Sequence, residues 1–131
     1  MHPGGPFWRN KDEGAWSIPK GEISPSEDRE QAARREFAEE LGPTASIGPL
    51  RALGEVRQRG GKRVIAFAGE AEFDAAKLSS NTFEIEWPPK SGRTQTFPEV
   101  DRAAWLDLST ARTKILSGQI ELLDRLEAAL T

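Results

Sequence analysis

The chain contains no cysteine and only one histidine, His2, among its 131 residues. The absence of cysteine excludes disulfides, thiolate zinc sites and cysteine nucleophiles, and it fits a reducing compartment, so we expect a cytoplasmic protein. A single histidine excludes a multi-histidine metal site, and its place beside the amino terminus argues against a Ser-His-Asp triad. Any chemistry must therefore rest on carboxylates, lysines, arginines or a bound metal ion.

Long apolar runs are also missing. No stretch approaches the roughly 20 residues that a membrane helix needs, and the first residues lack the apolar core of a signal peptide, so we expect a soluble protein with no membrane partner. The formal net charge is -3, from 18 basic and 21 acidic residues interspersed along the chain. This excludes a broad basic surface for duplex nucleic acid, so any nucleotide must be bound locally.

The length fits one domain, which we take to span residues 1–131. The patterns predict a brief strand at 15–18, strands at 50–58 and 63–73 joined by a Gly60-Gly61 turn, further strands at 81–87 and 103–108, and an amphipathic helix at the carboxyl end. The order of elements predicts an α/β fold in which a mixed sheet lies between helices.

One helix is predicted before the hairpin. Asp28 is a suitable N-cap with Gln31 three residues later, no glycine or proline follows until Gly42, and Pro43 stops the helix. At about 100° per residue, Glu36, Glu39 and Glu40 share one side of this helix. Three like charges would destabilise a bare helix, whereas such a density of oxygen ligands suits magnesium or manganese. The alternative is an ordinary solvated face with ion-pair ladders.

The segment GEISPSEDREQAARREFAEELGP resembles the Nudix box, in which a glycine, a glutamate and an Arg-Glu-apolar-x-Glu-Glu-x-Gly run stand at fixed spacing. The matching residues are Gly21, Glu27, Arg35, Glu36, Phe37, Glu39, Glu40 and Gly42. The position after Gly42 departs from the pattern, because Pro43 stands where an aliphatic residue is usual. The match covers the rest of the box and favours the metal-binding interpretation over the solvated face.

The resemblance implies a role for each matching residue. Glu36, Glu39 and Glu40 resemble the metal ligands and possible base of the family, and Arg35 resembles the arginine that orients a helix glutamate. The backbone carbonyl of Gly21, or of Lys20 before it, would join the metal shell, and Glu27 would be structural.

Outside the box, Glu99 stands six residues before Trp105, a placement similar to that of a later glutamate in many relatives, so we expect it to be a metal ligand or base. Glu84 and Glu86 compete for this role, but their alternation in a predicted strand favours an ordinary solvent face. Lys20 resembles a lysine of the diadenosine polyphosphate hydrolases. Arg57, Lys62 and Arg63 could also bind phosphate, or could simply keep the turn soluble. Trp8, Trp16, Phe7 and Trp87 could stack on a base, with Trp16 the best candidate for the core.

The resemblance implies a hydrolase that uses Mg²⁺ or Mn²⁺ to cleave the diphosphate linkage of a small nucleotide, either a dinucleoside polyphosphate such as diadenosine tetraphosphate or a nucleoside triphosphate. A catalytically idle, Nudix-like binding module is the alternative, and a domain with no ligand is a third. Only 20 residues precede Gly21, fewer than in most relatives. We therefore expect an amino-terminally short domain that lacks one or more sheet strands, whose open edge a partner such as a second copy in a homodimer could cover.

Overall fold

A computed structural model describes residues 1–23, 25–58 and 60–130 of the chain. This part of the chain contains three α-helices, α1 (Arg29–Leu41), α2 (Leu108–Lys114) and α3 (Ile120–Leu130), and 3-10 turns at Ala75–Lys77 and Ser117–Gln119. Its strands are β1 (His2–Pro3), β2 (Ser46–Ile47), β3 (Arg51–Arg57), β4 (Arg63–Ala68), β5 (Ala71–Glu72), β6 (Thr82–Glu86), β7 (Thr94–Pro98) and β8 (Val100–Arg102). The mixture of helices and short strands is an α/β architecture, as predicted. None of the described helices is long and apolar enough to cross a membrane.

Helix α1 begins and ends as the sequence predicts. The Asp28 side chain accepts a hydrogen bond from the Gln31 backbone N–H at 3.3 Å, which satisfies a donor that has no partner within the helix. At the other end Gly42 has φ of 101° and donates its N–H to the carbonyl of Ala38. This conformation favours glycine, so the helix stops before Pro43.

The predicted hairpin is confirmed, but the strand predicted at 63–73 ends at Ala68, and Ala71–Glu72 form β5, which pairs with β2. Strands β3 and β4 pair antiparallel, and Gly60 and Gly61 in the turn both have positive φ. Val56, Val64 and Ala66 of this hairpin form a buried cluster with Leu122 of α3. Helix α1 packs on β4 and α3 packs on β3, so the hairpin is the layer that both helices share.

The second half of the chain differs from the sequence prediction. Strand β6 agrees with the predicted strand at 81–87, but it pairs with β7, a strand that the sequence did not predict. The strand predicted at 103–108 is wrong, because the last strand is β8 (Val100–Arg102) and the following residues approach α2 as a loop. The Asp107 side chain caps α2 by accepting from Thr110, and the Trp105 indole N–H donates to the Phe73 carbonyl at 2.8 Å. These side-chain bonds fix a loop that apolar patterning alone does not reveal.

Within the described residues, strand hydrogen bonds form four two-stranded antiparallel sheets, β1–β8, β2–β5, β3–β4 and β6–β7. The strand predicted at 15–18 is reduced to an isolated parallel bridge between Trp16 and Ile115. A continuous mixed sheet between helices, and missing amino-terminal strands, therefore stay predictions.

The amino-terminal segment is tied to β8. The fully buried His2 ring lies 2.7 Å from an Asp101 carboxylate oxygen and 2.6 Å from the Lys11 carbonyl oxygen. The Gly4 N–H donates to the Glu99 carbonyl at 2.9 Å, and the Glu99 N–H donates to the Asn81 carbonyl at 2.8 Å. Two neighbouring segments thus hold the backbone of Glu99.

Candidate active site

Arg35 connects the acidic residues of α1. Its guanidinium donates to Glu36 at 2.7 Å and to Glu39 at 3.1 Å, and each bond uses one oxygen of the carboxylate. The spacing of the helix turn makes the second contact possible, because residues four apart share a face. Arg35 therefore partly neutralises the side of the helix on which three glutamates lie.

The same guanidinium fastens the preceding loop to the helix. Its Nε and Nη2 donate to the two oxygens of Glu27 at 2.7 and 2.9 Å, and Nη2 also donates to the Glu22 carbonyl at 3.0 Å. A planar fork matched to a carboxylate gives directional binding that lysine cannot reproduce. Glu27 thus contacts Arg35, as the structural role predicted for it requires.

The loop backbone lies directly against the helix carboxylates. A Cβ on Gly21 would stand 1.8 Å from Cδ of Glu36, so a larger residue there would displace the Glu36 carboxylate. The next residue back, Lys20, donates its backbone N–H to Glu40 at 2.9 Å. Residues 20 and 21 therefore meet Glu40 and Glu36, which lie 20 and 15 residues further along the sequence.

Glu40 is the buried member of the group, with 8% of its surface exposed. Burial raises the pKa of its carboxyl to about 7; the bond from Lys20 N–H opposes this rise, and the negative charges of Glu36 and Glu99 add to it. Glu99 lies between β7 and β8 and is itself exposed. Its charge acts on Glu40 across the fold, so it shares the electrostatic environment of the helix glutamates.

The other two acidic candidates lie elsewhere. Glu84 and Glu86 alternate on the exposed side of β6, opposite Thr96 and Thr94 of β7. Their placement agrees with the solvent-face interpretation of the strand.

Of the basic candidates, Lys20 and Lys62 come together. The pKa of Lys20 is lowered, first by burial and then by the neighbouring ammonium of Lys62. Both side chains line the same cleft as Glu36 and Glu40. Arg57 is exposed at the end of β3 and does not line that cleft, and the guanidinium of Arg63 pairs with Glu55.

Comparison with known families explains the arrangement. The sequence model of the NUDIX domain matches residues 6–126 of the chain. The chain belongs to the Nudix family. No curated protein and no solved structure matches it. Nudix domains are typically pyrophosphohydrolases that act on nucleoside diphosphate linkages, and they generally use divalent cations such as Mg²⁺.

The donor set of this Nudix helix fits a hard cation by its chemistry. Carboxylates of Glu36 and Glu40 and the backbone at Gly21 meet at one place, and Mg²⁺ prefers oxygen ligands. Among the described residues, however, no group of three or more histidine, cysteine, aspartate or glutamate side chains is arranged to hold a metal ion. The Arg35 bonds to Glu36 and Glu39 account for part of this, because they draw one oxygen of each toward the guanidinium.

Two of the Nudix carboxylates, those of Glu36 and Glu40, open onto a cleft of about 800 Å³, whereas Glu39 and Glu99 do not line it. Glu36, Glu40, Lys20 and Lys62 are in its wall, together with the exposed indole of Trp105. The sequence drew attention to Trp105 only through its spacing from Glu99. Its position in the cleft wall was not predicted. Its position follows from the bond to the Phe73 carbonyl, a contact between residues 32 apart in the sequence.

The aromatic residues that the sequence proposed for base stacking do not line the cleft. Trp16 is buried against His2, as its core assignment predicts, while Phe7 packs edge-on against Trp87 and Trp8 lies under the ammonium of Lys11. These contacts already occupy faces or edges of the rings.

Proposed function

We propose that this Nudix domain hydrolyses the diphosphate linkage of a nucleoside diphosphate derivative with the help of Mg²⁺ or Mn²⁺, in the cytoplasm and as one domain over residues 1–131. The observation that supports the proposal most directly is the meeting of residues 20 and 21 with Glu36 and Glu40. It brings oxygen donors and the lysine pair to one wall of a cleft. A diphosphate substrate needs oxygen donors that hold a metal ion and cationic side chains that bind its phosphate oxygens.

The residues then divide into metal ligands, a base and a positioning residue. Glu36, Glu39, Glu40 and the Gly21 carbonyl would hold the metal ion, which supplies water activation and neutralisation of phosphate oxygens when bound. Glu99 accepts the proton of the attacking water, since its negative charge acts on Glu40 and its side chain is exposed. Arg35 positions Glu36 and Glu39 through its bonds to both.

The lysines favour a substrate with several phosphates. Lys62 lies close enough for its charge to disfavour the ammonium of Lys20, and a polyphosphate between the two lysines would relieve this repulsion. We infer that the substrate is a dinucleoside polyphosphate such as diadenosine tetraphosphate, with a nucleoside triphosphate second. Arg57 would contact only a substrate that extends beyond the cleft.

The alternative is a catalytically idle module that binds a nucleotide. In such a module Arg35 would keep its bonds to Glu36 and Glu39, and no metal ion would be held there. In that case the lysines would still bind phosphate, but no bond would be cleaved.

The deciding experiment is a panel of nucleotides incubated with the protein and Mg²⁺, with released products separated by chromatography. The panel contains diadenosine tetraphosphate, diadenosine triphosphate, ATP, GTP and ADP-ribose, and the Glu39→Gln variant serves as the matched control. Hydrolysis by the parent protein alone supports the proposal. Saturable binding without product, at equal strength in both proteins, would assign the idle module instead.

A further inference from the structure

The segment that leads into the site is held by the carboxyl-terminal part of the chain through a short parallel ladder. The Trp16 N–H donates to the Lys114 carbonyl at 3.0 Å, and the Trp16 carbonyl accepts from the Leu116 N–H at 2.8 Å. In a parallel ladder the next hydrogen bond would run from the Ile18 N–H to the Leu116 carbonyl. That carbonyl already accepts from the Gln119 N–H at 2.9 Å, because the chain turns there into a 3-10 helix. The backbone ladder therefore ends before Ile18.

The side chain of Gln119 provides the missing acceptor. Its Oε1 accepts from the Ile18 N–H at 3.1 Å, although the two residues are 101 positions apart in the sequence. The Gln119 side chain is fully buried, so this hydrogen bond is shielded from solvent. Gln119 thus extends the ladder by one hydrogen bond beyond the point where its own backbone turns away.

Ile18 is the last anchored residue before the loop that reaches helix α1. Pro19 has no N–H, so the next donor along the chain is Lys20, whose N–H bonds to Glu40 at 2.9 Å. The hydrogen bond to Gln119 therefore lies two residues before the backbone group that contacts Glu40. It fixes the point from which the loop begins.

The same turn packs against the end of the hairpin that carries Lys62. A Cβ on Gly118 would lie 3.0 Å from Cγ and 3.2 Å from Cα of Gln58, so these two residues are in close contact. Gln58 in turn donates its N–H to the Lys62 carbonyl at 2.7 Å. Neighbouring residues of one turn therefore contact both segments that bring the lysine pair to the cleft.

Packing alone does not account for a glutamine at position 119. Among residues 1–23, 25–58 and 60–130, the Nε2 of Gln119 has no hydrogen-bond partner, although the side chain is fully buried. An unsatisfied buried donor lowers stability, and methionine or leucine would fill a similar volume without one. The hydrogen bond from Ile18 to Oε1 is the contact that an apolar side chain cannot make.

We propose that Gln119 is a positioning residue, which acts through Ile18 to hold Lys20 in place beside Lys62 in the cleft. The phosphate-binding role of the lysines rests on the proposed function, whereas the anchoring of the loop is a property of the protein without substrate. Cationic groups that are fixed before a polyphosphate arrives bind it without the cost of ordering them.

Amide exchange of the protein without metal or substrate, followed by NMR, tests the anchor. Gln119→Met keeps the length of the side chain and removes the acceptor. We expect the Ile18 and Lys20 amides to exchange about tenfold faster or more in this variant, while the rate at Trp16 stays unchanged. Ser117→Ala is the matched control, because Ser117 is exposed on the same turn, and it should leave all three rates unchanged. A response of Ile18 alone, or an equal response of Trp16, overturns the proposal.

A measurement on the parent protein covers the case in which Gln119→Met does not fold. In low concentrations of urea the Ile18 and Lys20 amides should open together, with the same dependence of their exchange rates on urea. Different urea dependences would show that the loop moves independently of its anchor and would overturn the proposal.

A double-mutant cycle connects the anchor to the substrate. Gln119→Met should raise the KM for diadenosine tetraphosphate about fivefold and lower kcat less, because a displaced Lys20 ammonium weakens binding of the ground state and the transition state alike. With Lys20→Ala already present, the same change should alter KM less than about twofold. Equal factors in both backgrounds overturn the proposal. If the parent protein hydrolyses no nucleotide, the proposed function fails, and the exchange rates still decide whether Gln119 holds the loop.

Discussion

Arg35 is the residue on which the geometry of the site depends most. One guanidinium contacts Glu27, Glu36, Glu39 and the Glu22 carbonyl, so it links the loop to the acidic face of α1. Its positive charge also offsets the repulsion among the glutamates. Residues of the Nudix box thus stabilise one another as well as facing a ligand.

The first prediction concerns two glutamates of α1, the buried Glu40 and the half-buried Glu39. Glu40→Gln and Glu39→Gln should each lower turnover at least about a hundredfold, because each removes a proposed charged ligand while keeping the shape of the side chain. Excess chelator should abolish the activity of the parent protein. Glu30→Gln is the control, since Glu30 lies on the same helix, pairs with Arg34 and does not line the cleft. Full hydrolysis in chelator would contradict the metal requirement.

Glu27→Gln should act through stability instead. It weakens the two bonds to Arg35 and should lower the free energy of unfolding by roughly 1 kcal/mol, the scale of a partly exposed ion pair. Denaturant unfolding measures this directly, and turnover should fall only as far as the loop loosens. A variant as stable as the parent, with turnover as low as that of Glu39→Gln, would move Glu27 into the group of metal ligands.

At the scale of elements, the loop between β7 and β8 carries Glu99. Its backbone is held by bonds to Gly4 and Asn81, and its charge reaches Glu40. Glu99→Gln should lower turnover at least about tenfold if it is the base, since a positioned base contributes 10² or more. Glu84→Gln and Glu86→Gln on β6 are matched controls with the same change of charge. A larger effect of either control would assign the role to the strand.

The elements also show what the sequence can and cannot predict. Helix α1 and the β3–β4 hairpin were predictable because local signals determine them, an N-cap at Asp28, a positive φ at Gly42 and the Gly60-Gly61 turn. Strand β7 was missed because TQTFP is polar and exposed and is held mainly by its partner β6. The cleft position of Trp105 depends on a carbonyl far away in the sequence, which no local pattern encodes.

At the scale of the whole molecule, the sheet layer is the least complete part of the fold. Strand hydrogen bonds among the described residues form four separate pairs, the continuous mixed sheet stays a prediction, and residues of α1, α3 and β4 line the same cleft. The same cleft holds the acidic face of α1 at one end. Stability and the site are therefore coupled through Glu40, which is buried where the cleft begins.

This coupling predicts how the stability of the metal-free molecule changes with pH. The folded-state pKa of Glu40 is raised from 4.5 to about 7, so between these values the folded chain keeps a proton that the unfolded chain has released. The free energy of unfolding should then fall as pH rises from about 4.5 to 7, by at most about 3 kcal/mol, and stay level above that range. A glutamine at position 40 does not titrate, so Glu40→Gln lacks this pH dependence. In chelator it should match the parent at pH 4 and exceed it in stability at pH 8, while Glu30→Gln follows the parent throughout. Excess Mg²⁺ should flatten the fall in the parent and in Glu30→Gln, because a cation favours the charged carboxylate of Glu40. Urea unfolding of the three proteins at pH 4, 6 and 8 measures the effect. If the free energy of unfolding changed with pH in the same way for the parent and for Glu40→Gln, burial would not raise the pKa of Glu40.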